Sequence, residues 1–292
     1  MTLPDTLNRP ELAKDAAAPA RMELRGIAKG YGEPWERTEV LDRLDFDIEP
    51  GKLTVLVGPS GCGKSTIVNL VAGYDRPDTG KVMIDGRPVR GPAHERMVVF
   101  QESALIPWQT TYENIVFGPR LRGDLSGVRL RLAAEQLIDR VGLADFRDKY
   151  PAQLSGGMQR RAELARALIN NPRVMILDEP FRGLDAMSRQ LMHAAFLGLF
   201  EAEKRTGLFV TSELDEAILL GDRLIVLSNQ PARVRAVIDV SLPRPRSTAM
   251  LDSAEAYEIK RAAMELLHEE ALRSFVGGSQ ASDLLLAHTR RR

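Results

Sequence analysis

The amino-acid sequence predicts an α/β fold built on a mainly parallel sheet, and two observations carry this prediction. Continuous apolar runs at 53–57, 174–177 and 224–228 have the length and composition of buried strands. Stretches with apolar residues at helical spacing, such as 126–141 and 159–169, lie between such runs. Strands that alternate with helices are typical of a parallel sheet with helices on its faces. Further strands are predicted at 22–28, 40–48, 81–86, 97–100 and 208–211, with a closing hairpin arm at 234–240.

Length and composition limit the classes of protein to consider. The chain has 292 residues, 44% of them hydrophobic, which is enough for the core of one or two domains. The 40 basic residues balance the 40 acidic ones, so no overall charge favours nucleic-acid binding. Cys62 is the single cysteine, which excludes a disulfide within the chain and suits a reducing compartment.

Neither the N-terminus nor any apolar run predicts a membrane segment. Residues 1–21 are polar and rich in Ala and Pro, and they lack the apolar core of a secretory signal. We therefore expect this segment to be disordered. No apolar run approaches the roughly 18 residues of a spanning helix. If the protein works at a membrane, we expect a partner to hold it there.

The segment 58–66 matches the phosphate-binding pattern G-x-x-x-x-G-K-[ST] and lies between a predicted strand and a predicted helix. Its glycines let backbone N–H groups point at phosphate oxygens, and the following helix adds its positive N-terminal end. Lys64 can reach the outer phosphates, and Ser65 can offer a hydroxyl to Mg²⁺. The alternative is a glycine-rich turn before a helix, which the downstream motifs disfavour. The predicted nucleotide-binding residues of this loop are Gly58, Pro59, Ser60, Gly61, Cys62, Gly63, Lys64, Ser65 and Thr66.

Two carboxylates follow the apolar run at 174–177. Asp178, at the C-terminal end of a strand, would lie beside the phosphate loop and hold Mg²⁺ directly or through water. Glu179 can polarise an attacking water as a general base. Gln101 ends another predicted strand and can reach a metal ion or a water. The alternatives are an exposed Asp-Glu turn before a proline and a solvated glutamine.

A second predicted anion site lies in the segment 154–161, which reads Leu-Ser-Gly-Gly-Met-Gln-Arg-Arg. Ser155 can cap a helix that begins near Gly157, and the N–H groups at a helix N-terminus bind anions. Since the phosphate loop already holds a nucleotide, this site has nothing to bind within the same chain. We therefore expect a symmetric dimer, in which Ser155, Gly156 and Gly157 of one chain close over the nucleotide of the other.

Together these motifs resemble those of ABC transporter ATPases, in the family's order and at its spacing from about residue 22 to residue 246. The resemblance implies a P-loop NTPase core with an antiparallel β subdomain and an inserted helical subdomain, and ATP and Mg²⁺ as cofactors. It also implies that Asp185 lies at the dimer seam and that Tyr31 stacks on adenine. A loop aromatic packed on the sheet is the alternative for Tyr31.

The segments 101–108, 113–115, 228–234 and 242–246 are similar to those of nitrate, sulfonate and taurine importer ATPases. In such importers the ATPase is a peripheral chain at the cytoplasmic face of the cell membrane. It pairs with a separate membrane permease. An extracytoplasmic solute-binding protein delivers the solute to that permease. The resemblance therefore implies uptake of a small solute and contact between residues 108–117 and the permease. Alternatively, Trp108 is a core residue of the helical subdomain.

One position departs from the family pattern. The family follows the strand after the Asp-Glu pair with Thr-His-Asp, and its His contacts the terminal phosphate, whereas this chain reads Thr211-Ser212-Glu213. Serine is shorter and uncharged, so it would need a bridging water to reach the phosphate. Either serine suffices, because Lys64, Mg²⁺ and the facing Ser155 site stabilise the developing charge, or this subunit hydrolyses ATP slowly, beside a competent partner subunit.

We expect an ATPase domain at 22–246, a helical subdomain at about 102–170 within it, and a helical extension at 247–292. In the extension, the apolar spacing predicts a helix over 253–275, and Gly-Gly-Ser at 277–279 predicts a flexible joint. This extension either caps the core or a neighbour, or it serves regulation or partner docking.

Two other functions stay open on the residues alone. A soluble ABC ATPase of repair or translation would usually carry two cassettes or a long coiled-coil or basic insertion, and neither is present. An ATP-binding regulatory module with little hydrolysis is suggested by Ser212. A GTPase or a kinase is disfavoured, because no Asn-Lys-x-Asp motif occurs and neither class explains the segment 154–161. The expected catalytic residues are Glu179, Lys64, Gln101 and Ser212, and the expected metal ligands are Ser65, Gln101 and Asp178.

Overall fold

The computed structural model describes residues 17–123 and 127–289. In this part of the chain the strands are β1 (Met22–Tyr31), β2 (Thr38–Ile48), β3 (Leu53–Val57), β4 (Thr79–Ile84), β5 (Arg87–Pro88), β6 (Arg96–Val99), β7 (Val174–Asp178), β8 (Thr206–Val210), β9 (Arg223–Leu227) and β10 (Val234–Asp239). The helices are α1 (Lys64–Ala72), α2 (Thr111–Arg122), α3 (Gly127–Arg140), α4 (Gly156–Leu168), α5 (Ala186–Glu203), α6 (Leu214–Leu220) and α7 (Ala254–Thr289).

The centre of the fold is a six-stranded sheet with the strand order β10-β9-β3-β8-β7-β6. All neighbouring strands are parallel except β9 and β10, which are antiparallel. Val55 and Val57 of β3 belong to the hydrophobic cluster on one face of the sheet, and Leu56 belongs to the cluster on the other. A strand that is buried on both faces alternates in this way. The predicted α/β fold with a mainly parallel sheet is confirmed, and β10 is its closing antiparallel arm.

A second sheet is antiparallel, with the strand order β2-β1-β4-β5. Its inward side chains, including Leu24, Ile27 and Leu44, share a hydrophobic cluster with Ile67 and Val71 of α1. This sheet therefore covers the face of the parallel sheet on which α1 lies. It is the antiparallel β subdomain that the sequence resemblance implied.

Three helices, α2, α3 and α4, lie between β6 and β7 in the chain and form the inserted helical subdomain. The start of α2 is fixed by a capping box: the Glu113 N–H donates to the Thr110 hydroxyl at 3.2 Å, and the Thr110 N–H donates to the Glu113 carboxylate at 2.8 Å. Buried Ala134 and Leu137 of α3 join the same hydrophobic cluster as α4. The cluster also continues into β6 and β7, so the subdomain packs on the parallel sheet.

The C-terminal helix α7 packs against the parallel sheet beside the β9–β10 hairpin. Ala256, Ile259 and Ala263 join the main hydrophobic cluster, and the buried Glu270 carboxylate accepts the Asn229 N–H at 2.9 Å. The flexible joint predicted at 277–279 is wrong, because the backbone stays helical to Thr289. Helix-forming Ala and Leu residues follow the joint, and each glycine costs a helix only about 1 kcal/mol. Neither α7 nor any other described helix is long and apolar enough to span a membrane.

Residues 17–21 belong to the segment that we predicted to be disordered, and residues 1–16 lie outside the described part of the chain. The Thr206 hydroxyl donates to the Ala20 carbonyl at 2.7 Å, and the Ala17 N–H donates to the Asn171 side chain at 2.9 Å. These bonds attach residues 17–21 to the end of the parallel sheet, so the ordered chain begins before Met22.

Candidate nucleotide site

The phosphate loop connects β3, in the centre of the sheet, to α1. Gly63 caps α1 with a φ of 108°, in the left-handed region that side chains disfavour. A Cβ atom on Gly63 would also lie 2.8 Å from both the Val40 and Leu41 side chains. Only glycine fits this position, because Val40 and Leu41 of β2 pack closely against the turn.

Lys64 and Cys62 are both buried in this loop. The Lys64 ammonium group donates to the carbonyls of Gly58 and Pro59, at 2.9 and 3.0 Å. The ammonium group is therefore held over the loop, where a bound phosphate could replace these carbonyls as its hydrogen-bond acceptor. Burial raises the pKa of the Cys62 thiol, which makes this cysteine an inert packing residue. Gly58, Pro59, Ser60, Gly61, Ser65 and Thr66 complete the loop as the sequence predicted.

Ser65, the second residue of α1, meets Asp178, the last residue of β7. Burial raises the pKa of the Asp178 carboxyl, and the nearby charge of Glu179 also raises it. The hydrogen bond with the Ser65 hydroxyl and the charge of Lys64 oppose this shift. Among the described residues, no group of three or more His, Cys, Asp or Glu side chains is placed to hold a metal ion. A hydroxyl and a single carboxylate suit Mg²⁺, which keeps several waters and takes its other ligands from phosphate oxygens.

Glu179 follows in a strained conformation, with a φ of 43°. Its N–H donates to the Val210 carbonyl of β8 at 2.9 Å, and its carboxylate forms an ion pair with Arg182 at 2.8 Å. Glu179 and Ser212 line one cleft, together with Thr211. The structure therefore brings the predicted base and the predicted switch residue together across the ends of β7 and β8.

Gln101 lies just beyond β6, which is the neighbour of β7 in the sheet. Its side chain is exposed, but its backbone carbonyl accepts a hydrogen bond from Arg160 of α4 at 2.6 Å. Arg160 also donates to the Phe100 carbonyl and to Glu163, both at 2.6 Å. The Glu163 carboxylate in turn accepts the Ala104 N–H at 2.5 Å. The loop that carries Gln101 is thus attached to the helical subdomain.

The Arg160–Glu163 pair, which links α4 to the loop of Gln101, is the contact beside the site that sequence reasoning missed. Burial lowers the pKa of Arg160 and raises the pKa of Glu163, so each charge depends on the other. The only signal in the sequence is a charged pair three residues apart, which is equally typical of an exposed helix face.

Tyr31 ends β1 with its ring partly exposed. Its hydroxyl donates to Asp75 at 2.9 Å, and the Lys29 ammonium group lies 5.0 Å from the ring centre. Burial raises the pKa of the phenol, the Asp75 bond raises it further, and a hydrogen bond with Thr66 lowers it. Because Thr66 belongs to the phosphate loop, the Tyr31 hydroxyl lies next to the predicted nucleotide site.

Ser155 and Asp185 are both helix caps. The Ser155 hydroxyl accepts the Met158 N–H at 3.3 Å and starts α4, whose first turn holds Gly156 and Gly157. The Asp185 carboxylate accepts the Ser188 N–H at 2.9 Å and starts α5. The Ser155 site lies on the helical subdomain, on a different element from the phosphate loop.

Strand, loop and helix with Lys64, Ser65 and Asp178 define a P-loop nucleotide-binding protein. The model of the ABC transporter family matches residues 41–182. The chain is 38% identical over 264 residues to an uncharacterized ABC transporter ATP-binding protein of Methanocaldococcus jannaschii, which covers 90% of this chain and 97% of the relative. This protein therefore belongs to the ABC transporter family, as its motifs implied.

Two further comparisons refine this assignment. The chain is 39% identical over 225 residues to the taurine import ATP-binding protein TauB of Pseudomonas aeruginosa, which covers 77% of this chain and 85% of the relative. A solved dimer of an ATP-binding cassette in a post-hydrolysis state, with ADP and Pi bound, superposes with a TM-score of 0.66 at 28% identity. That superposition covers 76% of this chain and all of the solved one. The predicted family and the predicted ATPase class are confirmed.

Proposed function

We propose that this chain is the Mg²⁺-dependent ATPase subunit of an importer that takes up a small solute of the nitrate, sulfonate or taurine class. The observation that carries the proposal is the meeting of Ser65 with Asp178, beside the cleft that Glu179 shares with Ser212. The hydroxyl and the carboxylate that would hold a metal ion therefore lie next to Glu179, the proposed base that activates water. The solute would bind to other chains, so this chain would carry no solute site from which its class could be inferred. The proposed solute class therefore rests on the likeness to TauB.

Each residue has a defined task in ATP hydrolysis. Ser65 and Asp178 would hold a Mg²⁺ ion, with Gln101 reaching toward it from the end of β6, and the ion would supply positive charge that offsets the charge of the phosphates. Lys64 would leave the Gly58 and Pro59 carbonyls for the outer phosphates. Glu179 would take the proton of the attacking water. Tyr31 supplies an exposed ring face for the adenine.

We infer that two copies of the chain act together. The Ser155, Gly156 and Gly157 turn is a helix N-terminus on a different subdomain from the phosphate loop, so it is free to close over a nucleotide held by a second chain. Asp185 caps the next helix, and we propose that it lies at the same seam. The dimeric state of the solved cassette supports this arrangement, and a homodimer requires no further gene product.

The helical subdomain offers a surface for the permease. Trp108 is 78% exposed and is followed along the chain by exposed Phe117 and Leu121, which contradicts the alternative of a core tryptophan. Exposed aromatic side chains are typical anchors of protein interfaces. We propose that residues 108–117 contact the permease. That contact would place the chain at the cytoplasmic face of the membrane, with a solute-binding protein on the opposite side.

The test is ATP hydrolysis by the purified chain, alone and with its permease in lipid vesicles, beside a Glu179→Gln variant. Turnover that the permease stimulates and that the variant lacks would support the proposal. Tight ATP binding without turnover in either setting would favour the regulatory module that Ser212 suggests, and would overturn the proposed ATPase role.

A further inference from the structure

Arg182 forms an ion pair with Glu179, the proposed base, at the mouth of the Ser212 cleft. We propose that Arg182 is a positioning residue for ATP hydrolysis: it holds the Glu179 carboxylate in the orientation that receives the proton of the attacking water. This inference rests on the ATPase function proposed above. It concerns a residue that the sequence analysis did not single out.

The backbone fixes both partners of the pair. The Glu179 N–H is bonded to Val210 of β8, and the left-handed φ of Glu179 turns the chain sharply at the end of β7. The Arg182 N–H then donates to the Glu179 carbonyl at 3.2 Å and closes a turn. This turn carries the Arg182 side chain back over the carboxylate. The pair is therefore set by main-chain geometry rather than by a chance meeting of two surface side chains.

The contact leaves part of the carboxylate available. Arg182 Nη1 binds Glu179 Oε2 at 2.8 Å, and within 17–123 and 127–289 no hydrogen bond is found to Oε1. One oxygen is thus anchored, while the other can accept a proton. The Glu179 side chain is 13% exposed and that of Arg182 is 61% exposed, so the guanidinium reaches in from solvent. Because the guanidinium is largely exposed, solvent screens the ion pair and limits its contribution to stability, which favours orientation as the use of this pair.

Arg182 is also the cation that contacts the base in this cleft. Ser212 contributes only a hydroxyl to the lining, and Arg189 is held by the Leu184 carbonyl at 3.2 Å. Glu213 and Glu216 add further acidic groups to the same lining. A positive group beside Glu179 therefore offsets local repulsion and keeps the carboxylate at one position. Precise placement of a catalytic group is a large part of its effect on rate.

The test compares Arg182→Ala and Arg182→Lys with Arg261→Ala. Arg261 is a matched control, because it is a half-exposed arginine paired with a glutamate three residues away, Glu258 at 2.7 Å, on α7. We expect Arg182→Ala to lower kcat on the order of tenfold, a fraction of the 10²–10⁴-fold that general-base catalysis contributes. We expect its KM for ATP and its binding of a fluorescent ATP analogue to stay as in the wild type.

One further variant separates positioning from a structural role. Arg182→Lys keeps a cation and should recover most of the turnover. Thermal unfolding of Arg182→Ala should match that of Arg261→Ala.

Four results would overturn the inference. Unchanged turnover in Arg182→Ala would show that the ion pair does not contribute to hydrolysis. Raised turnover would show that the ion pair restrains the base. A joint loss of nucleotide binding and thermal stability would assign Arg182 to folding. Failure of Arg182→Lys to recover turnover would exclude the cation as the cause. By contrast, a wild-type protein without turnover would contradict the proposed ATPase function itself.

Discussion

The hydroxyl of Ser65 forms a hydrogen bond with the carboxyl group of Asp178, so the first turn of α1 and the last residue of β7 meet at one point. Burial raises the pKa of Asp178 in the folded state above its ordinary value of 3.8. A carboxyl group with a raised folded pKa binds its proton more tightly in the native state. Its contribution to stability is fully present below pH 3.8 and is lost as the pH rises through the folded pKa.

Asp178→Asn should therefore stabilise the nucleotide-free protein while abolishing ATP hydrolysis. Asparagine removes the buried charge, and we expect a gain of roughly 0.5–2 kcal/mol in the free energy of unfolding at pH 8. The gain should shrink as the pH falls, because the wild-type carboxyl then becomes neutral as well. Urea unfolding at pH 5 and pH 8, together with an ATPase assay, measures both effects.

Asp85→Asn is the matched control for this prediction. Burial alone would raise the pKa of Asp85, but the Arg21 N–H and the Arg173 guanidinium outweigh burial and lower it. Stability from Asp85 is thus present at neutral pH and lost in acid, so its asparagine variant should be the less stable one at pH 8. Equal effects of the two substitutions would contradict the assignment.

Gly63→Ala should disrupt ATP binding through the backbone. A methyl group there would lie 2.8 Å from the Val40 and Leu41 side chains, at a φ of 108°. Positions of this kind commonly cost alanine about 1–3 kcal/mol of strain, so we expect ATP affinity to fall by tenfold or more. Titration with a fluorescent ATP analogue measures the change. Gly127→Ala, at a position with open space and ordinary backbone, should bind as the wild type does.

Trp108→Ala should uncouple the ATPase from its permease without changing the isolated chain. The side chain is exposed and makes no contribution to the core of the helical subdomain, so basal turnover and thermal unfolding should not move. Stimulation of turnover by the permease should fall about tenfold, the effect of losing roughly 1.4 kcal/mol of contact. Trp35→Ala, on the β1–β2 loop and equally exposed, is the control. Loss of stimulation in both variants would point to a general effect of removing exposed tryptophan.

Arg246→Ala should be strongly destabilising. The buried Arg246 guanidinium donates to the carbonyls of Ile218 and Val240 at 3.2 and 3.1 Å and also bonds Gly221, so it ties the end of α6 to β10. Burial lowers the pKa of Arg246 to about 10. We expect a loss of about 2–4 kcal/mol in urea unfolding, because several buried carbonyls lose their donor. Arg233→Ala removes an exposed arginine that pairs with Asp42, and it should cost less than about 1 kcal/mol.

The sequence could predict the nucleotide loop, the strand-end acids and the cap of α4, because each depends on residues close together in the chain. Ser65 and Asp178 are more than a hundred residues apart, yet their meeting was predictable, since the motifs place both at the same edge of a parallel sheet. The attachment of Arg160 to the Gln101 loop was not predictable. It depends on how α4 packs on the strand ends, and no residue pattern in either segment indicates that the two segments are in contact.

The same holds for the Arg182–Glu179 pair and for α7. The turn that brings Arg182 back over Glu179 depends on a bond from Glu179 to β8 and on a left-handed φ at a residue other than glycine. Composition around 277–279 predicted a break, but the helix formers on either side keep the backbone helical. Local propensity is a weak guide where neighbouring residues favour one continuous helix.

The attachment of the Gln101 loop to Arg160 has a thermodynamic consequence. Because Arg160 of α4 donates to the Phe100 and Gln101 carbonyls, we expect a displacement of that loop by a bound nucleotide to be transmitted to α4, and a shift of α4 to be transmitted to the loop. Binding free energies linked in this way are reciprocal. If ATP changes the affinity of the helical subdomain for the permease by some factor, the permease changes the affinity for ATP by that same factor, and we expect the contacts of Arg160 to contribute to it.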